Sequence, residues 1–235
     1  MRAIVARLLA ARPGMTPAEA RIRRRGVGLR RAFGGAVLLS AGTGVASAYT
    51  ATLNPASPQT IYLQVGVGSF TSDYLSGGQP GKNTTINTVA ATVPGSAVGN
   101  GAVQAMTTNS TAAQSYWDNY VYCSVPSQLY IGGFFRTAGA TTAAAQVTAT
   151  VPAALLDAAG DTLPFSKISW TSSGNGDSGA EPFPAGTFVN GGVQNVGSMA
   201  SNTWNESCLT FSYLNDSVPR FGTYTGVVLY TMTAP

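Results

Sequence analysis

The sequence contains no histidine and only two cysteines among its 235 residues. Without histidine there is no imidazole for general acid-base catalysis, for a Ser-His-Asp or Cys-His nucleophile, or for His-ligated zinc or copper. One pair of cysteines cannot supply a thiolate zinc site either. A pair of carboxylates is the remaining catalytic route, but most acids lie in stretches rich in Gly, Ser and Asn, where carboxylates are usually solvated. We therefore expect no enzyme activity, no metal and no cofactor.

Charge is also scarce, since Asp, Glu, Lys and Arg make up 9% of the chain. The formal net charge of +4 hides an uneven distribution. Residues 1–48 contain nine arginines and one acid, whereas residues 49–235 contain four basic residues and eight acids, a balance of 4 − 8 = −4. Phosphate recognition needs clustered Lys and Arg. Residues 49–235 are therefore not expected to bind nucleic acid.

The basic opening has the layout of a bacterial secretory signal. Its arginines precede the apolar stretch 32–39, and small residues ending in an A-x-A sequence at 46–48 follow. This layout predicts a signal peptide at 1–48 that is cleaved after Ala48, with Met15 as an alternative start. The arginine pair at 30–31 leaves general and twin-arginine export both open. No later segment is long and apolar enough to span a membrane, so we expect the remainder to be secreted, at the cell surface or in the periplasm.

The two cysteines, Cys123 and Cys208, stand 208 − 123 = 85 residues apart. In an exported chain they predict one disulfide. Such a bond would close a long loop and stabilise the fold by roughly 4.5 kcal/mol in the chain-entropy model. Two unpaired buried thiols are the alternative, and intact mass before and after reduction and alkylation distinguishes the two states.

The region after the signal has the pattern of short β-strands separated by turns. Apolar and polar residues alternate with period two, and Gly, Pro, Asn and Ser mark the breaks. We predict strands at 61–70, 85–93, 102–107, 117–125, 129–136, 143–151, 165–171 and 187–196, with a terminal hairpin in 208–231. The one helix-compatible piece is 153–159, and Gly132-Gly133 predicts a bulge or a close backbone approach. This pattern indicates an all-β fold, an antiparallel β-sandwich of immunoglobulin-like or jelly-roll-like type.

Residues 49–235 are long enough to form one sizeable core, and we expect a single sandwich domain. The pattern V-x-A-T-V-P, however, occurs twice, at 89–94 and at 147–152. Two similar β-units, about 49–125 and 126–235, would explain this echo. Chance in a chain rich in Ala, Thr and Val is the other explanation.

The terminal segment 208–231 has an irregular pattern. In 209–213 the apolar residues occupy odd positions, which puts Cys208 on the polar face, whereas Cys123 belongs to the apolar face of its own segment. Either Cys208 precedes the regular strand or a bulge turns it towards the core. The last strand is apolar on both faces, which makes it the first candidate for an assembly surface.

Aromatic rings beside amides and carboxylates are the candidate binding residues, because ring faces stack on sugars and amides bind hydroxyl groups. Trp204 is expected to be the most exposed tryptophan, and Asn205 follows it. Asp177 and Glu181 lie in a Gly/Ser/Asn loop with oxygen donors of the kind that calcium takes. That loop lacks the full EF-hand spacing and equally suits an ordinary turn. We predict Trp204, Asn205, Asp177 and Glu181 as ligand-binding candidates and predict no metal site.

The segment 222–231 reads G-T-Y-T-G-V-V-L-Y-T. It resembles the closing strand of bacterial secreted surface and fimbria-like β-sandwich domains, including spore-coat-U-type and WxL-type proteins. The resemblance is confined to this segment. It implies an immunoglobulin-like or related sandwich at the cell surface, and it implies no catalytic or ligand-binding residues.

These observations together predict an exported, disulfide-bonded structural or adhesive protein of a bacterial envelope or appendage. Its expected partners are further copies of itself or other envelope proteins. The alternative is a carbohydrate-binding module or lectin that binds glycan through exposed aromatic residues.

Overall fold

The computed structural model describes residues 2–10, 51–68, 70–71, 79–80, 85–139, 142–174 and 180–235. These residues form strands, turns and two 3₁₀ turns, at Gly95–Ala97 and Phe165–Lys167. The strands are β1 (Arg2–Ala10), β2 (Thr60–Val65), β3 (Phe70–Thr71), β4 (Gln79–Pro80), β5 (Asn87–Val93), β6 (Val103–Ala105), β7 (Thr107–Thr108), β8 (Leu129–Arg136), β9 (Ala144–Val151), β10 (Ala154–Leu156), β11 (Thr162–Pro164), β12 (Ile168–Ser173), β13 (Gly186–Thr187), β14 (Gly192–Ala200), β15 (Thr203–Leu214) and β16 (Thr223–Thr233). The predicted all-β class is confirmed.

Two sheets account for most of these strands. The large sheet has the order β11-β10-β16-β1-β5-β7, with β9 on β16 and β14 on β9. The small sheet has the order β13-β12-β15-β8-β2, with β6 also on β15. Among the strand pairs described, β1 with β16 is parallel and the others are antiparallel. This arrangement is a β-sandwich, as the strand pattern predicts.

The main core lies between the two sheets. Because side chains alternate across a strand, every second residue of each inner strand faces this core. The small sheet contributes Leu129, Ile131 and Phe135 from β8 and Leu209, Phe211 and Tyr213 from β15, and the large sheet contributes Val147 and Ala149 from β9 and Tyr224, Val228 and Tyr230 from β16. Full burial of a large apolar side chain stabilises a fold by about 1.5–3 kcal/mol, so this layer is the main source of cohesion.

The predicted terminal hairpin is wrong, because β15 and β16 belong to different sheets. Strand β15 pairs with β12 along 208–213, and its other pairings are with β8 along 203–207 and β6 along 212–214. At its C-terminal end, where a hairpin with β16 would have to form, β15 is paired on one edge with β12 and on the other with β6. The connection 215–222 therefore crosses from the small sheet to the large sheet.

Two further predictions of local structure are wrong. The piece 153–159 is not a helix: Ala154–Leu156 is strand β10, which pairs with β11, and Leu155 is fully buried. A helix between Pro152 and Gly160 would have too few residues to offset its nucleation cost.

The segment 117–125 is not a regular strand, and a single bridge joins Gln114 to Val121 there. Ser115 Oγ accepts from the Trp117 amide and Asp118 Oδ1 from the Tyr120 amide, at 3.1 and 2.9 Å. Such local bonds from side chain to backbone compete with a strand ladder.

The close backbone approach predicted at Gly132-Gly133 is confirmed. Gly133 has φ +155°, and a Cβ atom built there would lie 1.9 Å from the carbonyl oxygen of Tyr62 on the neighbouring strand β2. Only glycine fits between β8 and β2 at this point. The two strands can therefore pair without a break from Thr60 opposite Arg136 to Val65 opposite Ile131.

We predict that Gly133→Ala lowers the free energy of unfolding by about 2 kcal/mol or more, because the added methyl group must push β2 away from β8. Urea denaturation followed by tryptophan fluorescence measures the change. Gly95→Ala is the matched control, since a Cβ atom at Gly95 meets nothing within 4 Å. Equal stability of the two variants would contradict this account.

Candidate functional site: an aromatic cluster under a disulfide-bonded loop

The outer face of the small sheet is also buried, although it faces away from the main core. Residues 109–128, here called the cover loop, lie across it between β7 and β8. The sheet contributes Tyr62, Tyr130, Phe134 and Trp204, and the cover loop contributes Tyr116, Trp117 and Tyr122. We call these seven residues the outer aromatic cluster. It gives the small sheet a second apolar layer.

The rings of this cluster form two groups, one around Tyr62 and one around Tyr130, and Tyr116 of the cover loop packs against both. Tyr62 lies 6.0 Å from Trp204 and 5.7 Å from Phe134 between ring centroids, and Phe134 lies 5.9 Å from Trp204. Tyr130 lies 5.5 Å from Tyr116 of the cover loop. Distances of this size are typical of attractive aromatic pairs, each of which adds about 0.5–1.5 kcal/mol beyond area burial. The contact of Tyr116 with Tyr130, together with that of Tyr122 with Tyr130 at 6.4 Å, joins the cover loop to the sheet.

The predicted disulfide is confirmed: Cys123 of the cover loop is bonded to Cys208 of β15, with Cα atoms 5.5 Å apart. Both residues are buried. Cys208 lies inside the regular strand, on the same face as Trp204, so it neither precedes the strand nor needs a bulge. The residues at even positions of β15 face the cover loop, and strand and loop together form a second buried layer. Cys208 is therefore buried although the sequence pattern assigns it to the polar face of the strand.

Glu206 lies at the centre of this site. Its Oε2 atom accepts a hydrogen bond from the Tyr130 hydroxyl and another from Trp204 Nε1, both at 2.8 Å. The Ser115 side chain of the cover loop bonds to the same carboxyl group. From the loop side, the Tyr122 hydroxyl donates to the Glu206 backbone carbonyl at 2.9 Å. The residue thus joins the sheet to the loop through both its side chain and its backbone.

Burial raises the pKa of the Glu206 carboxyl group above its usual value. The hydrogen bonds from Trp204, Tyr130 and Ser115 act in the opposite direction, and the negative charge of Asp118 adds a smaller upward contribution. Removing a charged group from water favours its neutral form, and here this effect is the largest. Glu206 is therefore a carboxyl group that keeps its proton to higher pH than an exposed glutamate.

The predicted ligand-binding residues do not come together on one face. Trp204 is only 7% exposed, so the expectation that it is the most exposed tryptophan is wrong: Tyr62 and Phe134 cover its ring. The Asn205 amide donates to the Thr203 carbonyl and hydroxyl oxygens of the same strand, at 3.0 and 3.1 Å.

Glu181 accepts from Ser207 Oγ at 2.9 Å. Ser207 and Asn205 alternate with Trp204 along β15, which puts them on the opposite face of the strand from Trp204. Asp177 lies outside the described residues.

The most exposed aromatic group of this site is the turn at 116–120 in the cover loop. Tyr120 is 60% exposed, and Tyr116 and Trp117 are half-buried beside the exposed Asp118. The sequence predicts a strand here, because alternate residues of 117–125 are apolar, so it does not indicate an exposed turn. The spacing Trp204-x-Glu206-x-Cys208 is the sequence signal that could have revealed the buried outer face, because a period of two places all three on one side.

The chemistry available at Glu206 is limited by its surroundings. The two donors on Oε2 come from its own sheet, and the cover loop lies over it, so the group joins elements of the fold. Among the described residues there is no group of three or more His, Cys, Asp or Glu side chains that could hold a metal ion. This geometry favours a structural role for the carboxyl group.

We predict that Glu206 stabilises the fold less as pH rises from about 4.5, the ordinary pKa of glutamate, through its raised pKa in the folded protein. The folded state holds this proton more tightly than the unfolded chain, so the contribution is greatest at low pH and is lost on deprotonation. Denaturation of the parent and of Glu206→Gln across this range isolates the effect. The parent should lose stability relative to the variant as pH rises.

The same difference should persist at about 1 M salt, because screening weakens interactions between charges far more than it weakens desolvation. A difference between the two proteins that stays constant with pH, or that grows in favour of the parent, would contradict the raised pKa of Glu206.

Comparison with known proteins gives no relative of this chain: no protein-family model, no curated protein and no solved structure matches it. Within the described residues, no helix is long and apolar enough to cross a membrane. The site is thus defined by its own geometry, as a half-buried carboxyl group and an aromatic cluster held under a disulfide-bonded loop.

Proposed function

We propose that this protein is an exported structural or adhesive component of a bacterial cell surface or appendage. The disulfide between Cys123 and Cys208 supports an oxidising compartment, where such bonds persist. The half-buried Glu206 carboxyl group is hydrogen-bonded within the fold, which supports a non-catalytic role. The low charge and the many hydroxyl and amide side chains suit an extracellular β-protein.

The observation that supports assembly is a row of exposed apolar and threonine side chains across the large sheet. Leu229 of β16 is opposite Thr150 of β9, and Thr150 is opposite Val193 of β14. Leu229 is 37% exposed, Val193 is 66% exposed and the neighbouring Val227 is 46% exposed. Exposed apolar side chains grouped on one face of a sheet favour contact with another protein. We call it the outer row of the large sheet.

The outer row predicts that a charge at Val193 or Leu229 disrupts assembly. In the producing cells, Val193→Glu and Leu229→Glu should remove the protein from filaments or high-mass assemblies in a surface-sheared fraction, as seen by electron microscopy and mass spectrometry. The reason is that burying an unpaired carboxylate in a contact costs several kcal/mol.

Val218→Glu is the matched control, because Val218 is 75% exposed but lies in the connection 215–222, away from the outer row. It should assemble like the parent. A parent protein found only as a monomer in that fraction would overturn the proposal.

Glycan binding is the second candidate function, and the turn at 116–120 favours it. Its rings are accessible beside a carboxylate, and aromatic faces of this kind stack on sugar rings. In a polysaccharide pull-down, Tyr120→Ala should reduce binding at least tenfold. Phe221→Ala, which removes a similarly exposed ring in the connection 215–222, should leave binding unchanged. Equal binding by both variants would exclude this turn as a glycan site.

A further inference from the structure

The backbone of the turn at 116–120 is closed by hydrogen bonds at its base. The Ser115 amide donates to the Tyr120 carbonyl at 2.8 Å, and the next residues outward, Gln114 and Val121, form an antiparallel bridge. A segment that is ordered before it binds loses less conformational entropy when a ligand arrives. The side chains of this turn are therefore presented in a preorganised arrangement.

Asp118 is the acidic residue of this turn, and its carboxylate is held against the backbone of Tyr120. Its Oδ1 atom accepts from the Tyr120 amide at 2.9 Å. Asn119 lies between them with φ +62°, a left-handed conformation that asparagine adopts more readily than most residues. Asp118 is exposed, and it has no ion-pair partner among the residues that the structure describes. This charge is therefore available to a ligand.

Three aromatic residues of the turn stand within two positions of this carboxylate. Tyr120 is 60% exposed, and Tyr116 and Trp117 are half-buried. The face of an aromatic ring carries partial negative charge and attracts cations, as the carboxylate of Asp118 also does. The rings and the carboxylate thus favour the same kind of ligand group, a positively charged group on an apolar body.

The charge of the surrounding region favours a cation as well. Residues 49–235 contain four basic residues and eight acids. The negative charge of Asp118 also reaches Glu206 under the cover loop, where it contributes to the raised pKa of that carboxyl group. A negative surface potential raises the local concentration of positively charged ligands. An acidic ligand is therefore disfavoured at this turn.

We propose that the turn at 116–120 binds a glycan built from amino sugars in their protonated form. The ring of Tyr120 stacks on the sugar, and Asp118 pairs with its ammonium group. A neutral sugar would stack on the same ring but would leave the charge of Asp118 unpaired, whereas an ammonium group forms a charge-assisted hydrogen bond with it. This inference rests on glycan binding, the second candidate function, and names the ligand class of that site.

The charge of the ligand is tested with two short oligosaccharides of equal length and linkage, one of glucosamine and one of N-acetylglucosamine. Calorimetric titration of the full chain at about pH 6, where an amine with an ordinary pKa is protonated, compares their affinities. The glucosamine oligomer should bind about tenfold or more tightly than the acetylated one. At about 1 M salt this advantage should shrink to less than about threefold, because the pairing of exposed charges is screened.

The role of Asp118 is tested by Asp118→Asn, which removes the charge and keeps an oxygen that can accept from the Tyr120 amide. The variant should bind the glucosamine oligomer about tenfold more weakly than the parent and the acetylated oligomer equally well. Asp161→Asn is the matched control, because it removes the same charge from an exposed position next to Arg220. It should bind both oligomers like the parent.

The outcomes separate this inference from glycan binding itself. Equal affinity of the parent for the two oligomers, reduced in both cases by Tyr120→Ala, would overturn the amino-sugar ligand and leave glycan binding in place. No binding of either oligomer would overturn both. Tighter binding of an oligolysine peptide than of the glucosamine oligomer would overturn the inference in favour of a basic peptide. The comparison of ligands uses the parent protein, so it does not depend on the folding of any variant.

Discussion

Backbone pairing along both edges of β16 is the constraint on which the rest of the structure depends. One edge is paired with β9 and β10, and the other with β1. Through these three partners β16 connects the two halves of the large sheet, and its inward residues Tyr224, Val228 and Tyr230 lie in the main core. Because a buried backbone group without a partner costs about 1–3 kcal/mol, the loss of either edge would weaken the core as well as the sheet.

The small sheet is buried on both faces. Its inner face packs against the large sheet, and its outer face is covered by a loop that has little regular structure. The loop stays in place because three kinds of interaction converge on β15: the bond to Cys208, the contacts of the outer aromatic cluster and the hydrogen bonds of Glu206. The raised pKa of Glu206 is a direct consequence of this covering.

The sequence predicts those parts of the fold whose pattern is local. Period two correctly places strands at Leu129–Arg136 and Ala144–Val151, and the glycine pair at 132–133 correctly indicates a close approach. The other features of the fold depend on contacts between residues far apart in the sequence, which a local pattern does not show. The pairing of β15 with β8 and β12 excludes a terminal hairpin, and only the position of the cover loop explains why Cys208 and Trp204 are buried. Residues 2–10 have the composition of a leader, so no local pattern distinguishes them as an interior strand.

The central claim is that β1 is an interior strand of the large sheet, paired with β16 on one edge and with β5 on the other. The amide groups of Ala91 and Val93 point towards β1, which is their ladder partner. Hydrogen exchange of these two amides in the intact chain, resolved by NMR, is the most direct test. The account predicts exchange as slow as that of Ile131 in the interior of β8. Exchange as fast as that of the exposed residues Asp216, Arg220 and Phe221 would contradict it.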